Sequence, residues 1–444
     1  MRFLTLLGLL LSCDLLAADF PQFRGPAGNG VVASADLPLT WSEKKNLAWA
    51  TKLPGTGWSQ PVVVGKQLFV TAAISDKLAR PKDMMAGVKD MRSMPAPGSA
   101  PKPPDVTIEW QLLALDAETG SIRWAKTVVA GKPKYPIHPS NTYATETPCA
   151  DAERVYTYFG ATGTLAAFDH AGKELWKREL GAYPFSNGFG SGSSPTLFEG
   201  KLYIASFNEE KSFVAAFDVE SGQELWRKPR EKAGSAWASP FVWRTNARTE
   251  IVACGDKLVT SHDPRTGEEL WRLGGIDTAF APSPAADGEM LLLAASSPFS
   301  SSPIYGIKAG ARGDISLKKD EQSNASVAWS RKNSGVGMAS PCATGGYLYI
   351  PGQAGLICVD VKTGVEKYKE RLPKAKTVAA CPMAIGDKLL VLDEAGKAIW
   401  VKTGPEFEVL GSAEIADTFW ASPAVVGDHL YLRGVEGLYC ITKR

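Results

Sequence analysis

The sequence predicts an all-β chain folded as an eight-bladed β-propeller of four-stranded antiparallel blades, its ring closed by the N-terminal strand joining the C-terminal blade. Three observations predict it. A small or polar residue followed by proline recurs eight times, a turn-and-tryptophan string follows most copies, and the last copy runs out of chain one strand early. Units of ~40 to 50 residues with one glycine and aromatic set each are what a propeller requires.

The proline element stands at Gln60-Pro61, Thr147-Pro148, Ser194-Pro195, Ser239-Pro240, Ser283-Pro284, Ser340-Pro341, Cys381-Pro382 and Ser422-Pro423. Successive prolines lie 87, 47, 45, 44, 57, 41 and 41 residues apart. The two long intervals require insertions: residues 76–105 in blade one and residues near 309–326 in blade five. The first is rich in Pro, Lys and Gly towards its end, which predicts a surface excursion with one short helix near residues 83–92.

The second element is an apolar strand, an Asp, a Gly-containing turn and an aromatic. It reads ALDAETGSIRW, AFDHAGKELW, AFDVESGQELW, SHDPRTGEELW and CVDVKTGVEKY, ending at Trp124, Trp176, Trp226, Trp271 and Tyr368. Gly permits positive φ and Asp bonds nearby amides, so each string is a tight hairpin between a third and a fourth strand. The aromatics, with Trp329 in blade five, then open outer strands and pack between blades. Blade seven lacks such a Trp, because Val409 follows its turn at Thr403-Gly404. Strings such as KLYIASF and HLYLRG alternate β-branched, aromatic and leucine residues between Gly and Pro breaks, as strands do.

The final copy supplies only three strands before Arg444. NLAWATKL (46–53) has the outer-strand pattern, with Trp49 in the position of Trp124, so pairing it with the chain end leaves no open edge.

Composition bounds the rest. With 444 residues and 44% hydrophobic content the chain can bury a large core, and one propeller domain over residues 19–444 is expected, as a monomer. Lys+Arg 49 against Asp+Glu 47 provides no basic field for nucleic acid. Residues 1–18, with Arg2, an apolar run and Ala17-Ala18, read as a signal peptide for export to the periplasm or outside the cell. The alternative is a lipid anchor on Cys13 within LLSC. No run is long enough to span a membrane. The seven cysteines form no C-x-x-C motif and no adjacent pair, which argues for isolated buried thiols.

The D-x-x-TG-x-x-x-W strings resemble the pyrroloquinoline-quinone (PQQ) repeat family, and the similarity covers essentially all of the mature chain. That family includes quinoprotein alcohol dehydrogenases and the BamB-type lipoprotein of outer-membrane protein assembly. FPQFRGPAGNG (20–30) followed by NLAWATKLPG is similar to a bacterial branch of exported PQQ-binding-like propellers. For the enzymes, the resemblance implies a quinone at the propeller mouth, a calcium ion, a catalytic Asp and, in many members, two adjacent cysteines. This chain has no Cys-Cys pair and no haem-attachment motif.

Loops between blades converge on one end of the axial channel, the default ligand site. Trp58, Trp237 and Trp420 each stand three residues before a shared proline and are expected at this mouth, either as a rim that stacks a flat ligand or peptide or as a brace. HPSNTYATE brings His138, Asn141, Tyr143 and Glu146, and SNGFGSG brings Asn187, to the same end. Their hydrogen-bonding groups suit a ligand or partner, and equally suit the capping of loop backbone. No catalytic residue and no metal site is assigned, since only four histidines occur and three fall in the blade elements.

The expected function is a non-catalytic binding scaffold of the bacterial cell envelope, engaging a protein or envelope polymer through loops and channel mouth. No cofactor is expected. PQQ and calcium enter only under the alternative, a quinoprotein dehydrogenase oxidising an alcohol or sugar.

Overall fold

A computed structural model describes residues 19–78, 80–81, 102–230, 234–296, 302–332, 337–352 and 354–444. The expected signal peptide, Cys13, the expected helix near 83–92 and most of the blade-one insertion lie outside the described residues.

Eight sheets are present, each carrying four antiparallel strands, in chain order from axis to rim in all but the eighth, whose outer strand comes from the N-terminal part of the chain. Their inner strands are Val62–Val64, Cys149–Ala150, Thr196–Phe198, Phe241–Arg244, Ala285–Asp287, Cys342–Thr344, Met383–Ile385 and Ala424–Val426. Every one follows a member of the proline series, because proline lacks the N–H that a paired strand position would need. The inner-strand starts and the outer-to-inner connections therefore gather on one end, the loop face. The tight turns between third and fourth strands gather on the other, the hairpin face.

Closure is as the chain ends foretell. Leu47–Lys52 pairs antiparallel with Gly437–Ile441, putting Trp49 opposite Cys440. The Trp49 ring lies 6.0 Å from that of Tyr431 in the same blade. The core is divided among the interfaces between adjacent blades. The largest cluster unites blades seven, eight and one with Phe20, Leu37 and Trp41, where both chain ends are stitched in.

Two sheets gain a fifth strand that the repeat does not encode. Val31–Val32 runs parallel to Met383–Ile385 on the axial side of blade seven. Gly313–Asp314, within the blade-five insertion, runs parallel to Glu269–Leu273 outside blade four.

The outer tryptophans follow one rule with one exception. Trp49, Trp124, Trp176, Trp226 and Trp329 donate their indole N–H to hairpin carbonyls of the next blade, at Ala117, His170, Val219, Pro264 and Val361, over 2.8 to 3.2 Å. Each ring lies flat on that hairpin's glycine. A Cβ on Gly222 would stand 2.6 Å from Trp176, and one on Gly364 2.6 Å from Trp329. Tyr368 meets Phe407 of blade seven at 5.5 Å instead. Trp271 is buried between blades four and five, as expected of an outer-strand aromatic, and differs only in its hydrogen bond. Blade five has no Thr-Gly hairpin to receive it, and Trp271 turns its N–H to Glu250 Oε2 within its own blade at 2.6 Å.

Candidate functional site

The residue before each proline clasps that of the next blade, around the axis. The N–H of Gln60 donates to Thr147 Oγ1, Thr147 to Ser194 Oγ, Ser194 to Ser239 Oγ, Ser239 to Ser283 Oγ and Ser283 to Ser340 Oγ, over 2.9 to 3.0 Å. The series continues from Ser340 to Cys381 Sγ at 3.2 Å and from Cys381 to Ser422 Oγ at 2.9 Å. The last gap is bridged by Gln60 Nε2, which donates to the Pro423 carbonyl. Each such bond contributes about 1 kcal/mol net, and together they fix the bore of the ring.

That bore is filled from the hairpin face by residues 19–33. The segment climbs blade one, where Phe20 and Val63 exchange backbone bonds of 2.8 and 2.9 Å, and descends blade seven, where Ala384 and Gly386 donate to Gly30 and Val32 at 2.9 and 3.1 Å. Arg24 and Gly25 turn at its apex with φ of 62° and 82°. Arg24 is buried, and its guanidinium donates to Pro284 O at 2.5 Å, to Asn29 O at 3.1 Å and to Pro341 O. Its backbone N–H meets Gln60 Oε1 at 2.7 Å. Among the described residues no carboxylate takes part; carbonyl dipoles offset the desolvated charge, and burial lowers the Arg24 pKa. Sequence reading singled out FPQFRGPAGNG only as a family likeness. Nothing local in that string reports contacts to strands some 260 and 317 positions away.

The aromatic and polar candidates lie on the loop face. Trp58 and Trp420 stack with ring centroids 5.5 Å apart and planes 17° apart. Trp58 is buried and donates to Ser140 O at 3.0 Å. His138 stacks on Phe189 at 5.2 Å, and Phe189 meets Trp237 edge-on at 5.9 Å. Trp237 donates to Gly190 O at 2.7 Å. The aromatics thus form two groups joined by the 138–146 loop: the Trp58–Trp420 pair, and a cluster of His138, Phe189, Trp237 and Phe185. Phe189 is the most open member, 37% exposed. Sequence reading missed Phe185 and Phe189, since single phenylalanines in a Gly-rich loop carry no periodic signal.

The polar candidates separate by role. Asn141 ties the two loops together through Nδ2 to Phe189 O at 2.6 Å. Tyr143 is buried, donates to Tyr135 O at 3.1 Å, and burial pushes its pKa up to about 12. Asn187 stands exposed in a left-handed turn, φ 52°, between Phe185 and Phe189 in sequence. His138 Nδ1 lies 2.7 Å from Ser140 Oγ, and burial lowers its pKa.

Glu146 is buried beneath the joined loops. Its Oε1 accepts from Gly160 N at 3.1 Å and from the Ser191 hydroxyl, while Oε2 has no partner among the described residues. Desolvation outweighs these bonds and raises the pKa to about 7. Calcium takes six to eight oxygen ligands. The groups around Oε1 are hydrogen donors, and among the described residues no group of three or more His, Cys, Asp or Glu converges. Glu146 and its neighbours therefore do not fit a calcium-assisted quinone site.

The six described cysteines are free and buried. No helix among the described residues is long and apolar enough to cross a membrane.

Comparisons with known proteins agree with this architecture. A crystal structure of BamB from Moraxella catarrhalis superposes with TM-score 0.57 at 13% identity, covering 90% of this chain and 97% of that one. A quinohemoprotein alcohol dehydrogenase from Comamonas testosteroni superposes with TM-score 0.63 at 13% identity, covering 96% of this chain and 80% of that one. Among curated proteins, a polyvinylalcohol dehydrogenase of Pseudomonas is 24% identical over 288 residues, 55% of this chain and 37% of the relative. One of Sphingopyxis is 25% identical over 337 residues, 58% of this chain and 50% of the relative. The chain thus spans half or less of the curated relatives' length. Residues 105–245 and 255–443, well over half of the chain, match the family described as outer membrane protein assembly factor BamB, and to that family, with its PQQ-type repeats, this chain belongs.

Proposed function

We propose that the protein is an exported, non-catalytic binding scaffold of the cell envelope, one propeller domain over residues 19–444, that engages a protein or envelope polymer through its loop face. The observation that carries this reading is the pairing of a bore filled by residues 19–33 with an aromatic surface at the opposite mouth. Rigid aromatics joined by hydrogen-bonded loops supply contact area at low entropic cost, as binding surfaces do. The family's description as an assembly factor and the likeness to BamB support a partner-binding role. Placing a photo-crosslinking residue at Phe189 is expected to trap a defined envelope partner, whereas the same residue at Val365, on the hairpin face, is not. Capture from Val365 alone, or from neither, overturns the reading.

A second reading rests on the polyvinylalcohol dehydrogenase relatives. Under it the protein is a PQQ- and calcium-dependent dehydrogenase of an alcohol or sugar. Adding PQQ with calcium to the purified chain and following dye reduction over a panel of alcohols tests it. Turnover there would replace the scaffold reading.

A further inference from the structure

Blades three and four open their outer strands with the same four residues, Glu224-Leu225-Trp226-Arg227 and Glu269-Leu270-Trp271-Arg272. The two copies share a backbone geometry. Each has a bulge that passes over the leucine, so that Trp226 stands opposite Ala216 and Arg227 opposite Ala215, as Trp271 stands opposite Ser261 and Arg272 opposite Thr260. Each arginine pairs with the glutamate three residues before it, at 2.6 and 2.5 Å.

The copies differ in what covers them. In blade four, Gly313 and Asp314 of the blade-five insertion pair in parallel with Trp271 and Arg272, and Ile315 donates its N–H to the Arg272 carbonyl at 2.9 Å. Ile315 is buried in the apolar cluster on which Leu270 packs. Hydrogen bonds from Ser316, and then the Arg272 charge, hold the Asp314 carboxyl below its ordinary value. In blade three the strand Glu224–Arg230 is the outermost of its sheet, and Leu225 is 44% exposed. The matching register turns the Arg227 carbonyl outward, as it turns that of Arg272. Blade two repeats Glu174-Leu175-Trp176, but there the Lys177 carbonyl is already taken by the Arg178 guanidinium at 2.8 Å. An edge with outward backbone groups is a template for an added strand, and blade four shows this very edge occupied.

Charge indicates which strand fits. The outer strand of blade three carries Arg227, Lys228 and Arg230 against Glu224 alone, so its complement is acidic, as Asp314 is. We propose that the outer edge of blade three docks an extended segment of a partner protein, added in parallel along Trp226 and Arg227, with an acidic residue opposite Arg227 followed by an aliphatic one beside Leu225. Pro229 has no N–H where Gly274 donates to Ser316 Oγ at 2.7 Å, so the docked strand makes one bond fewer than the built-in one. The edge lies on the outer wall, apart from the loop face, and failure of the Phe189 crosslink leaves it standing.

Fluorescence anisotropy on the full mature chain tests it with a labelled peptide of residues 311–317, Ala-Arg-Gly-Asp-Ile-Ser-Leu, amidated at its C-terminus. Saturation below about 1 mM is expected. The same peptide with lysine in place of aspartate is expected to bind about fivefold more weakly, and Arg227→Glu to reverse that order. N-methylation at the peptide's isoleucine removes the bond to the Arg227 carbonyl without altering the protein, and is expected to abolish binding. A benzophenone at the peptide's N-terminus is expected to label blade three. Melting curves report that Arg227→Glu remains folded, and the methylated peptide needs no variant. The proposal fails if the parent peptide does not saturate, if the methylated one binds equally well, if Arg227→Glu leaves the order intact, or if the label falls on blade four, by exchange with the built-in strand, or on any other blade.

Discussion

At Glu146, burial and hydrogen bonding act in opposite directions, and burial wins. The carboxyl titrates near pH 7 in the folded chain, against an ordinary value of 4.5. Between those two values the folded state holds a proton that the unfolded chain has released, so stability falls as pH rises through this window and is fully depressed above pH 7. Glu146→Gln keeps an acceptor for Gly160 and Ser191 and removes the charge. It is expected to leave stability near pH 5 almost unchanged and to raise it above pH 7 by on the order of 1 to 3 kcal/mol. Urea unfolding at pH 5 and pH 8 checks this, and an equal effect at both would show that Glu146 does not titrate there. Sequence reading placed Glu146 at the mouth as a hydrogen-bonding group. Its unpaired Oε2 and shifted pKa depend on Ser191 and Gly160 arriving from another blade and another turn, which no spacing in HPSNTYATE reports.

Among the elements, the Trp-on-Gly stack and the N-terminal segment make separable predictions. Gly222 has φ 66° and lies 2.6 Å, by its missing Cβ, from Trp176; Gly288 has φ 57° and open space around it. Both substitutions by alanine meet the left-handed backbone cost of about 1 to 2 kcal/mol. Only Gly222→Ala must also push a buried indole aside, at roughly a further 1 to 3 kcal/mol. Equal losses in thermal melts would remove the stack as the reason for glycine there. For the segment, Arg24→Ala strips the donors from Pro284 and Pro341 and is expected to cost on the order of 3 kcal/mol. Arg24→Met is expected to cost less, because it also removes the buried charge and refills the space. The hairpin glycines and most outer aromatics were legible because a tight turn and its next strand are neighbours in sequence. The hydrogen-bond partner of Trp271 was not, because it depends on what blade five lacks.

For the whole ring, closure through Leu47–Lys52 and Gly437–Ile441 makes the two ends of the chain one sheet. Removing residues 437–444 leaves Trp49 and its strand without a partner and exposes the cluster that joins blades seven, eight and one. The truncated chain is expected to unfold at clearly lower urea than the full chain, with loss of the tryptophan fluorescence signal in the same transition. An unchanged midpoint would mean the ring does not depend on that seam. By itself the sequence determined the number of blades, their hairpins and the strand that closes them, since each is a local pattern repeated at a period that only radial packing satisfies. Tertiary structure alone decided what fills the axis, how the residue before each proline clasps the next blade, and which aromatics meet at the mouth. Those contacts join residues from different blades, brought together only when all eight sheets share one centre, and the chain carries no local signal of its neighbours across that centre.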